Sequence, residues 1–418
     1  MDEGVNRLLS LFRVIIKPMK FVLVLFFVSL AFSEEISLFD AIKLLRERNY
    51  DFKISLYEIK KSQGAYIQAG LLQNPTLSVN YTGLNFGEHF LYDTGNTLFS
   101  ARIDQPIELG GKREYRKLSA MYQLKSVSYQ SEDLLRTLSL GLVSAYFQAL
   151  SDRAYLEYIK QDINEFEKML QIQEQKHKLG FLSLIDLIKL RLYKTELENS
   201  YIQAVGNYEK DIKELSFYMG GGKYEPLDIK QDPDQVNLED LIKKALEERE
   251  SLKALKEQLK SADYQIRLLR AYSIPDISVG VEYDAFGVKY KPGIGFGFSV
   301  NLPLFDRRQG DLLTAVAQRE QILLSIQREE ERIKKEITQA YDNYVANKKI
   351  YTNYKEKKQV MDELLERTKK AYILGGISTL DFLDTLRTYR AFMNNFLQAR
   401  YQYLQSYYTL KILGGWEL

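Results

Sequence analysis

Ser378-x-x-Asp381-x-x-Asp384 and Ser183-x-x-Asp186 are the segments whose residue types and spacing could do chemistry, and that chemistry is electrostatic. A serine followed three residues later by an acid, just past a glycine, has the form of a helix N-cap, with aspartate as a shorter partner than the usual glutamate. Capping and complementarity to the helix dipole account for Asp186 and Asp381 without any further role. Asp384 stands outside that account. It shares a helix face with Asp381 one turn away, and the residue at the matching place after Asp186 is Lys189. Reactive groups are otherwise sparse. His89 and His177 are far apart, cysteine is absent, and no local metal-ligand spacing exists, so no metal and no cofactor is expected. Gly110-Gly111-Lys112 and Gly220-Gly221-Gly222-Lys223 lack the Gly-x4-Gly-Lys-Ser/Thr pattern of a phosphate loop. No catalytic constellation appears, and the scattered carboxylates read as helix-surface charge, so an enzyme is not expected.

The elements that position these carboxylates recur. Ser37-Leu38-Phe39-Asp40-Ala41-Ile42-Lys43 returns as Asn237-Leu238-Glu239-Asp240-Leu241-Ile242-Lys243, and Asn74-Pro75-Thr76-Leu77-Ser78-Val79 as Ile274-Pro275-Asp276-Ile277-Ser278-Val279, both 200 residues on. Leu179-Gly180-Phe181-Leu182-Ser183 matches Leu374-Gly375-Gly376-Ile377-Ser378 at 195, and Gly220-Gly221 matches Gly414-Gly415 at 194. A period this long, far beyond the 20 to 50 residues of a solenoid, indicates a duplicated half-protein. The expected organisation is an export segment at 1–33, a first repeat at 34–222, a linker at 223–236 and a second repeat at 237–418. Each repeat is read as a helix, two strands and a long helical hairpin.

The export segment is read from Arg13, Lys17 and Lys20 ahead of an apolar run, Phe21 to Phe32, with cleavage after Ser33. Twelve residues are too few to span a bilayer as a helix, which takes roughly 20. Met19-Lys20 would also make a normal start, which leaves residues 1–18 as a possible start-site artefact. Without residues 1–33 the chain carries 54 basic and 54 acidic side chains, a balance that gives no basic surface for nucleic acid. An exported chain without cysteine must draw its stability from packing and assembly.

Four segments alternate with period two. In Gly293 to Leu302 the residues Ile294, Phe296, Phe298, Val300 and Leu302 share one face, and glycine, serine and asparagine the other. Asp276 to Tyr283 alternates likewise, and so do the segments carrying Leu77, Val79 and Tyr81 and carrying Phe99, Ala101 and Ile103. Each is about ten residues, the length of a tilted outer-membrane strand with apolar residues toward lipid and polar ones toward a lumen. A soluble hairpin with one face on a core gives the same alternation. If the strands enter a membrane, four cannot close a barrel, and open edges cannot be left in hydrocarbon, so several chains must share one.

Gly310 to Ile373 contains no proline or internal glycine, and the positions 333, 337, 340, 344, 347, 351, 354, 358, 361, 365, 368 and 372 step by four and three as a heptad seam, with Asn347, Lys358 and Thr368 as polar interruptions. Such a helix is roughly 100 Å long. Gly111 to Lys178 is its equal, and the chain returns through Leu184 to Met219 and Leu380 to Leu413. A solvated coiled-coil stalk is the alternative reading. Apolar residues at the turns, Leu179, Leu182, Leu374 and Ile377 around Gly180 and Gly375, suggest either a partner surface or packing between the tips.

Gln105-Pro106-Ile107-Glu108-Leu109-Gly110-Gly111-Lys112-Arg113 and Leu302-Pro303-Leu304-Phe305-Asp306-Arg307-Arg308-Gln309-Gly310 occupy the two strand-to-helix corners. With the two Leu-Gly tips, they make the chain resemble the TolC-like outer membrane efflux proteins, particularly the heavy-metal and drug efflux branch. A proline at each corner suits a strand end, and glycine permits the turn into the helix. The resemblance implies a mixed, mainly α fold. Long antiparallel helical hairpins form an α-barrel continuous with a homotrimeric twelve-strand transmembrane β-barrel, four strands per chain, in the outer membrane and extending into the periplasm. It implies a periplasmic adaptor (membrane fusion) protein and an inner-membrane RND or ABC transporter as partners, with the tips Leu179, Gly180, Leu182, Leu374, Gly375 and Ile377 docking the adaptor. It also implies an aperture ring of Asp381 and Asp384, and a gate latch of Tyr372 and Asp186. Positions that hold an arginine and a further latch residue in some members are Ile377 and Ile185 here, which leaves fewer or different hydrogen bonds. The function so implied is an outer-membrane exit duct conducting metal ions or small molecules. The alternatives are the exit duct of a type I protein secretion system and a non-conducting envelope tether.

Overall fold

The computed structural model describes residues 34–82, 98–230, 232–286 and 291–415; the export segment expected at 1–33 and His89 lie outside them. In chain order the elements are β1 (Glu34–Ile36), α1 (Leu38–Arg48), α2 (Tyr50–Ala69), β2 (Thr76–Thr82), β3 (Leu98–Ile107), α3 (Lys112–Lys178) and α4 (Leu184–Tyr218). They continue as β4 (Tyr224–Pro226), α5 (Leu238–Glu248), α6 (Glu250–Ala271), β5 (Ile277–Phe286), β6 (Gly293–Val300), α7 (Gln309–Ile373) and α8 (Thr379–Leu413).

The four alternating segments make one antiparallel sheet in the order β2-β3-β5-β6. Register sets Leu77, Ile103, Val281 and Phe296 in one cross-strand row, and Val79, Ala101, Tyr283 and Ile294 in the next. The large side chains of these rows are exposed, Phe296 at 84%. On the opposite face Arg102 reaches Asp104 at 2.8 Å and Glu282 at 3.4 Å. Its guanidinium occupies space that a Cβ at Gly280 or Gly297 would enter, 3.0 and 2.9 Å away, so the small residues of that face make room for an ion cluster. β2 and β6 are the edge strands, and each has a partner on one side only.

Where one helix was expected at the start of each repeat, the structure has two. The chain turns at Asn49 and at Arg249, both extended at φ −57° and −60°. The reason lies in the helices that end there. Asn49 Nδ2 donates to Tyr218 O at the end of α4, at 3.0 Å, while its Oδ1 caps Phe52 N. Buried Arg249 donates to Leu413 O at the end of α8, at 2.8 Å, and pairs with Glu336. Each break residue thus supplies a donor to orphan carbonyls of a helix C-terminus. α2 is thereby set end to end with α4, and α6 with α8. α3 runs alongside α2 and α6 in one half and alongside α4 and α8 in the other, while α7 flanks α6 and then α8.

The seam of α7 is buried at Ile333, Ile337, Ala340, Tyr344 and Tyr372, and its other positions are half-buried. Tyr403 of α8 stacks on both Tyr344 and Tyr351, at 5.7 and 5.6 Å. β1 pairs in parallel with β4, so the stretch 223–236, expected as a linker, contains a strand. Tyr146 fixes that pair, its buried hydroxyl lying 3.0 Å from Ile36 O and 2.7 Å from Leu227 O. Lower in the first hairpin, Asp211 of α4 is buried against Asp152 of α3. Burial first, then the neighbouring carboxylate, push its pKa up to about 7.

Candidate functional site

Both hairpin tips are built alike. Leu179 N bonds Gln175 O and Phe181 N bonds Lys176 O around Gly180 at φ +82°, and the second tip closes the same way around Gly375 at φ +78°. Ser183 then caps α4 by accepting from Asp186 N at 3.1 Å and donating to Asp186 Oδ2 at 2.6 Å. Ser378 caps α8 through Asp381 N at 3.2 Å and Asp381 Oδ2 at 2.6 Å. Capping therefore occupies one oxygen of Asp186 and of Asp381. Asp384 is exposed one turn further on, and its neighbour Arg387 is engaged by Glu196 of α4 at 2.9 Å.

The hairpins are tied to each other above the tips. Lys369 of α7 pairs with Glu165 of α3 at 3.0 Å, and Lys176 of α3 donates to Ile373 O at 2.9 Å. Tyr372 is buried, stacked on Phe382 at 4.2 Å with the rings 4° apart. Its hydroxyl contacts Thr379 Oγ1 at 3.2 Å. The tyrosine hydroxyl therefore bonds within its own hairpin, and no direct Tyr372–Asp186 hydrogen bond is present among the described residues. The hydrogen bond from Ser183, the largest influence, and the nearby Lys189 ammonium hold the Asp186 carboxyl below the usual range.

The apolar tip residues divide. Leu179 and Leu374 are exposed at 71% and 85%, whereas Leu182 and Ile377 pack inward on the cluster of Phe166, Leu187, Tyr193 and Phe382. Phe181 at 80% exposure, Leu184, Ile185 and Leu380 extend the exposed set, and sequence reasoning missed them. Their signal was available: apolar residues flanking a capped turn have no interior to enter.

The corners connect the sheet to the long helices. Pro106 sits at the penultimate position of β3 and Pro303 just beyond β6, consistent with the lost N–H donor. Gly110 and Gly111 are both left-handed, at φ +70° and +73°. Lys112 is buried and donates to Ile274 O at 2.6 Å and Asp276 Oδ1 at 2.7 Å. Arg116 clasps Glu108 at 2.6 and 3.0 Å. At the second corner Gly310, expected to make the turn, lies inside the first turn of α7, and the left-handed residue is Arg308 at φ +59°. Asp306 Oδ1 accepts from Arg308 N and Asp311 pairs with its side chain at 3.1 Å, which stabilises the turn without glycine.

A sheet with one apolar exposed face, continued by helices of 67 and 65 residues with capped turns at their far end, defines the class by architecture: a four-stranded wall with a long helical extension. Residues 241–415 match the family described as "Outer membrane efflux protein". The chain is 20% identical, over 378 residues, to the cobalt-zinc-cadmium resistance protein CzcC of Cupriavidus metallidurans, spanning 87% of this chain and 84% of that protein. Its fold is shared with a membrane protein from Pseudomonas aeruginosa (TM-score 0.77, 16% identity, 92% of this chain and 94% of that one). It is shared also with the Campylobacter jejuni CmeC outer membrane channel (TM-score 0.76, 17% identity, 91% and 86%). By these likenesses the chain is similar to outer membrane efflux proteins in its second half and shares the fold of outer membrane channels over most of its length. The proteins it resembles are named for metal resistance or as outer membrane channels.

Proposed function

We propose that three copies of this chain close one twelve-strand barrel and a helical tunnel beneath it, forming a passive exit duct from the periplasm to the exterior. The observation that carries this reading is the four-stranded sheet with an apolar exposed face and both edges open, because unpaired strand edges are not tolerated in hydrocarbon. The helices support it. Ile54, Tyr57 and Ile67 of α2 and Ile188, Leu192 and Ile202 of α4 are exposed at one end of the wall. Leu313, Val316, Leu324 and Val360 of α7 are exposed at the other. Two unlike apolar edges suit a head-to-tail contact that closes into a ring. The recurrence of helix pair, strand pair and long hairpin supports a duplicated chain with repeats at 34–222 and 237–418.

Cargo is read as metal ions or small molecules, on the strength of similarity to a protein named for cobalt, zinc and cadmium resistance. The exposed tip residues Leu179, Phe181, Leu374 and Leu380 are the surface for a periplasmic adaptor, which connects to an inner-membrane transporter of the RND or ABC type. In a trimer Asp381 and Asp384 crowd six carboxylates at one aperture, attracting cations by their summed field. Tyr372 and Asp186 belong to the latch that holds the tips together. Planar-bilayer recording of the full chain tests the reading. Asp384→Ala should raise single-channel conductance and weaken block by divalent cations, and unchanged records would remove the aspartate ring from the account.

A further inference from the structure

The strand at the open edge of the sheet stops earlier than its counterpart in the first repeat. β3 runs to Ile107, whereas β6 ends at Val300, short of Leu304, the residue that matches Ile107 in the second corner. The two hairpins share one register, since Leu77 faces Ile103 and their counterparts Ile277 and Val300 also face each other. Past Asp104 the hairpin partner of β3 has ended, so Gln105 to Ile107 are held in the sheet by β5 alone. Past Val300 the hairpin partner of β6 has ended too, and no second neighbour is there. Leu304 N instead closes a γ-turn on Leu302 O at 2.9 Å, a form common at strand ends. We propose that β2 of the next copy extends β6 to Leu304 in a register that repeats β3 against β5, with Leu302 opposite Val79, Leu304 opposite Leu77 and Asn301 opposite Asn80. This inference rests on the reading that several copies share one barrel.

The pattern of both strands agrees with this register. It sets apolar residues opposite apolar residues on the exposed face, and a slip of one residue would put Leu302 opposite Asn80 or Ser78 and reverse the faces. Charge distinguishes the seam from its template. Within the chain, β3 and β5 are joined by the cluster of Arg102, Asp104 and Glu282, and the corner by Lys112 on Asp276. The counterparts of Arg102 and Asp104 are Ser299 and Asn301, and those of Lys112 and Asp276 are Gln309 and Thr76. Gln309 is already engaged in its own corner, accepting from Arg307 N at 2.9 Å and donating to Phe305 O at 3.2 Å. The seam between copies is thus a backbone ladder flanked by neutral and apolar side chains. Pairing these strands strips no charge of its water, a cost that burial of an ion would add.

The chain has no cysteine, so introduced pairs report the seam directly. β2 and β6 lie at opposite edges of the sheet, about 14 Å apart across three strand spacings, so a disulfide between them joins two copies. The full chain is oxidised in isolated membranes and resolved on non-reducing gels, with Leu302→Cys combined with Val79→Cys and, on the other face, Asn301→Cys with Asn80→Cys. One of the two faces of an antiparallel ladder carries the closer, non-hydrogen-bonded pairs, so at least one combination should give covalent dimers and trimers that a reductant releases. Leu302→Cys with Leu77→Cys or with Tyr81→Cys is displaced by two residues, about 7 Å along the strand and beyond disulfide reach, and should give no more than the single-cysteine variants. Multimers from a displaced combination and none from the aligned ones would overturn the register. No link from any combination, in a protein that native mass spectrometry finds as a trimer, would overturn the seam while the shared barrel stands. A monomer in that measurement would remove the shared barrel itself.

Discussion

The two strand-to-helix corners begin from the same proline-containing pattern and reach the long helix by different means. At the first, Gly110 and Gly111 are left-handed, and a Cβ on Gly110 would lie 2.7 Å from Ile274 Cδ1. A buried lysine then locks the corner to the strand of the other repeat. At the second, the left-handed residue is an arginine, its guanidinium 5.5 Å over the Tyr272 ring, in an ion pair whose two side chains are each 54% exposed. The difference follows strand position. β3 is central, so its corner is walled in by β5; β6 is an edge strand, so its corner is open in the single chain. A positive φ by itself does not demand glycine here, while a positive φ with a neighbour at contact distance does.

Substitutions at these corners can break that comparison. Gly110→Ala should destabilise by about 3 kcal/mol or more in thermal or denaturant unfolding, since strain in φ and a steric clash act together. Arg308→Gly should change stability by no more than about 1 kcal/mol. Equal losses at both sites would show that conformation, not enclosure, decides. Lys112→Met leaves Ile274 O without this donor and Asp276 with the Leu109 N–H but no countercharge, and with Asp276 a third exposed the cost should be about 2 kcal/mol.

The tips extend the contrast between enclosed and open positions. Ile377→Asp places a carboxylate in a packed cluster and should cost about 2 kcal/mol in the same unfolding assay. Leu374→Asp, at a residue 85% exposed, should stay within about 0.5 kcal/mol while abolishing crosslinking to an adaptor. An unaltered crosslink in that variant would return the tips to ordinary solvated turns. Asp211 adds a pH dependence. Its pKa near 7 in the fold lies above the roughly 3.9 of an unfolded aspartate, so between those values the native state holds a proton that the unfolded chain has released. Stability should fall as pH rises through that window and level off above it. Asp211→Asn should show a smaller decline, read as melting temperature against pH.

Much of this was legible because it is periodic. Alternation of Ile294, Phe296 and Phe298 marked a strand, and steps of four and three from Ile333 to Tyr372 marked a seam, since burial on one face imposes those periods. The caps at Ser183 and Ser378 were legible because the signal is local. What escaped notice depends on distant partners. β1 and β4 are three residues each, too short to show a period, and exist because segments some 190 residues apart meet over Tyr146. Asn49 and Arg249 break their helices because α4 and α8 end beside them, which nothing in the neighbouring sequence announces.

The central claim is that an open four-stranded sheet is completed by two further copies. Native mass spectrometry of the protein extracted from membranes in mild detergent tests it most directly. The account predicts a trimer that persists at low protein concentration. A stable monomer would leave both sheet edges unpaired, which contradicts the shared barrel and with it the duct.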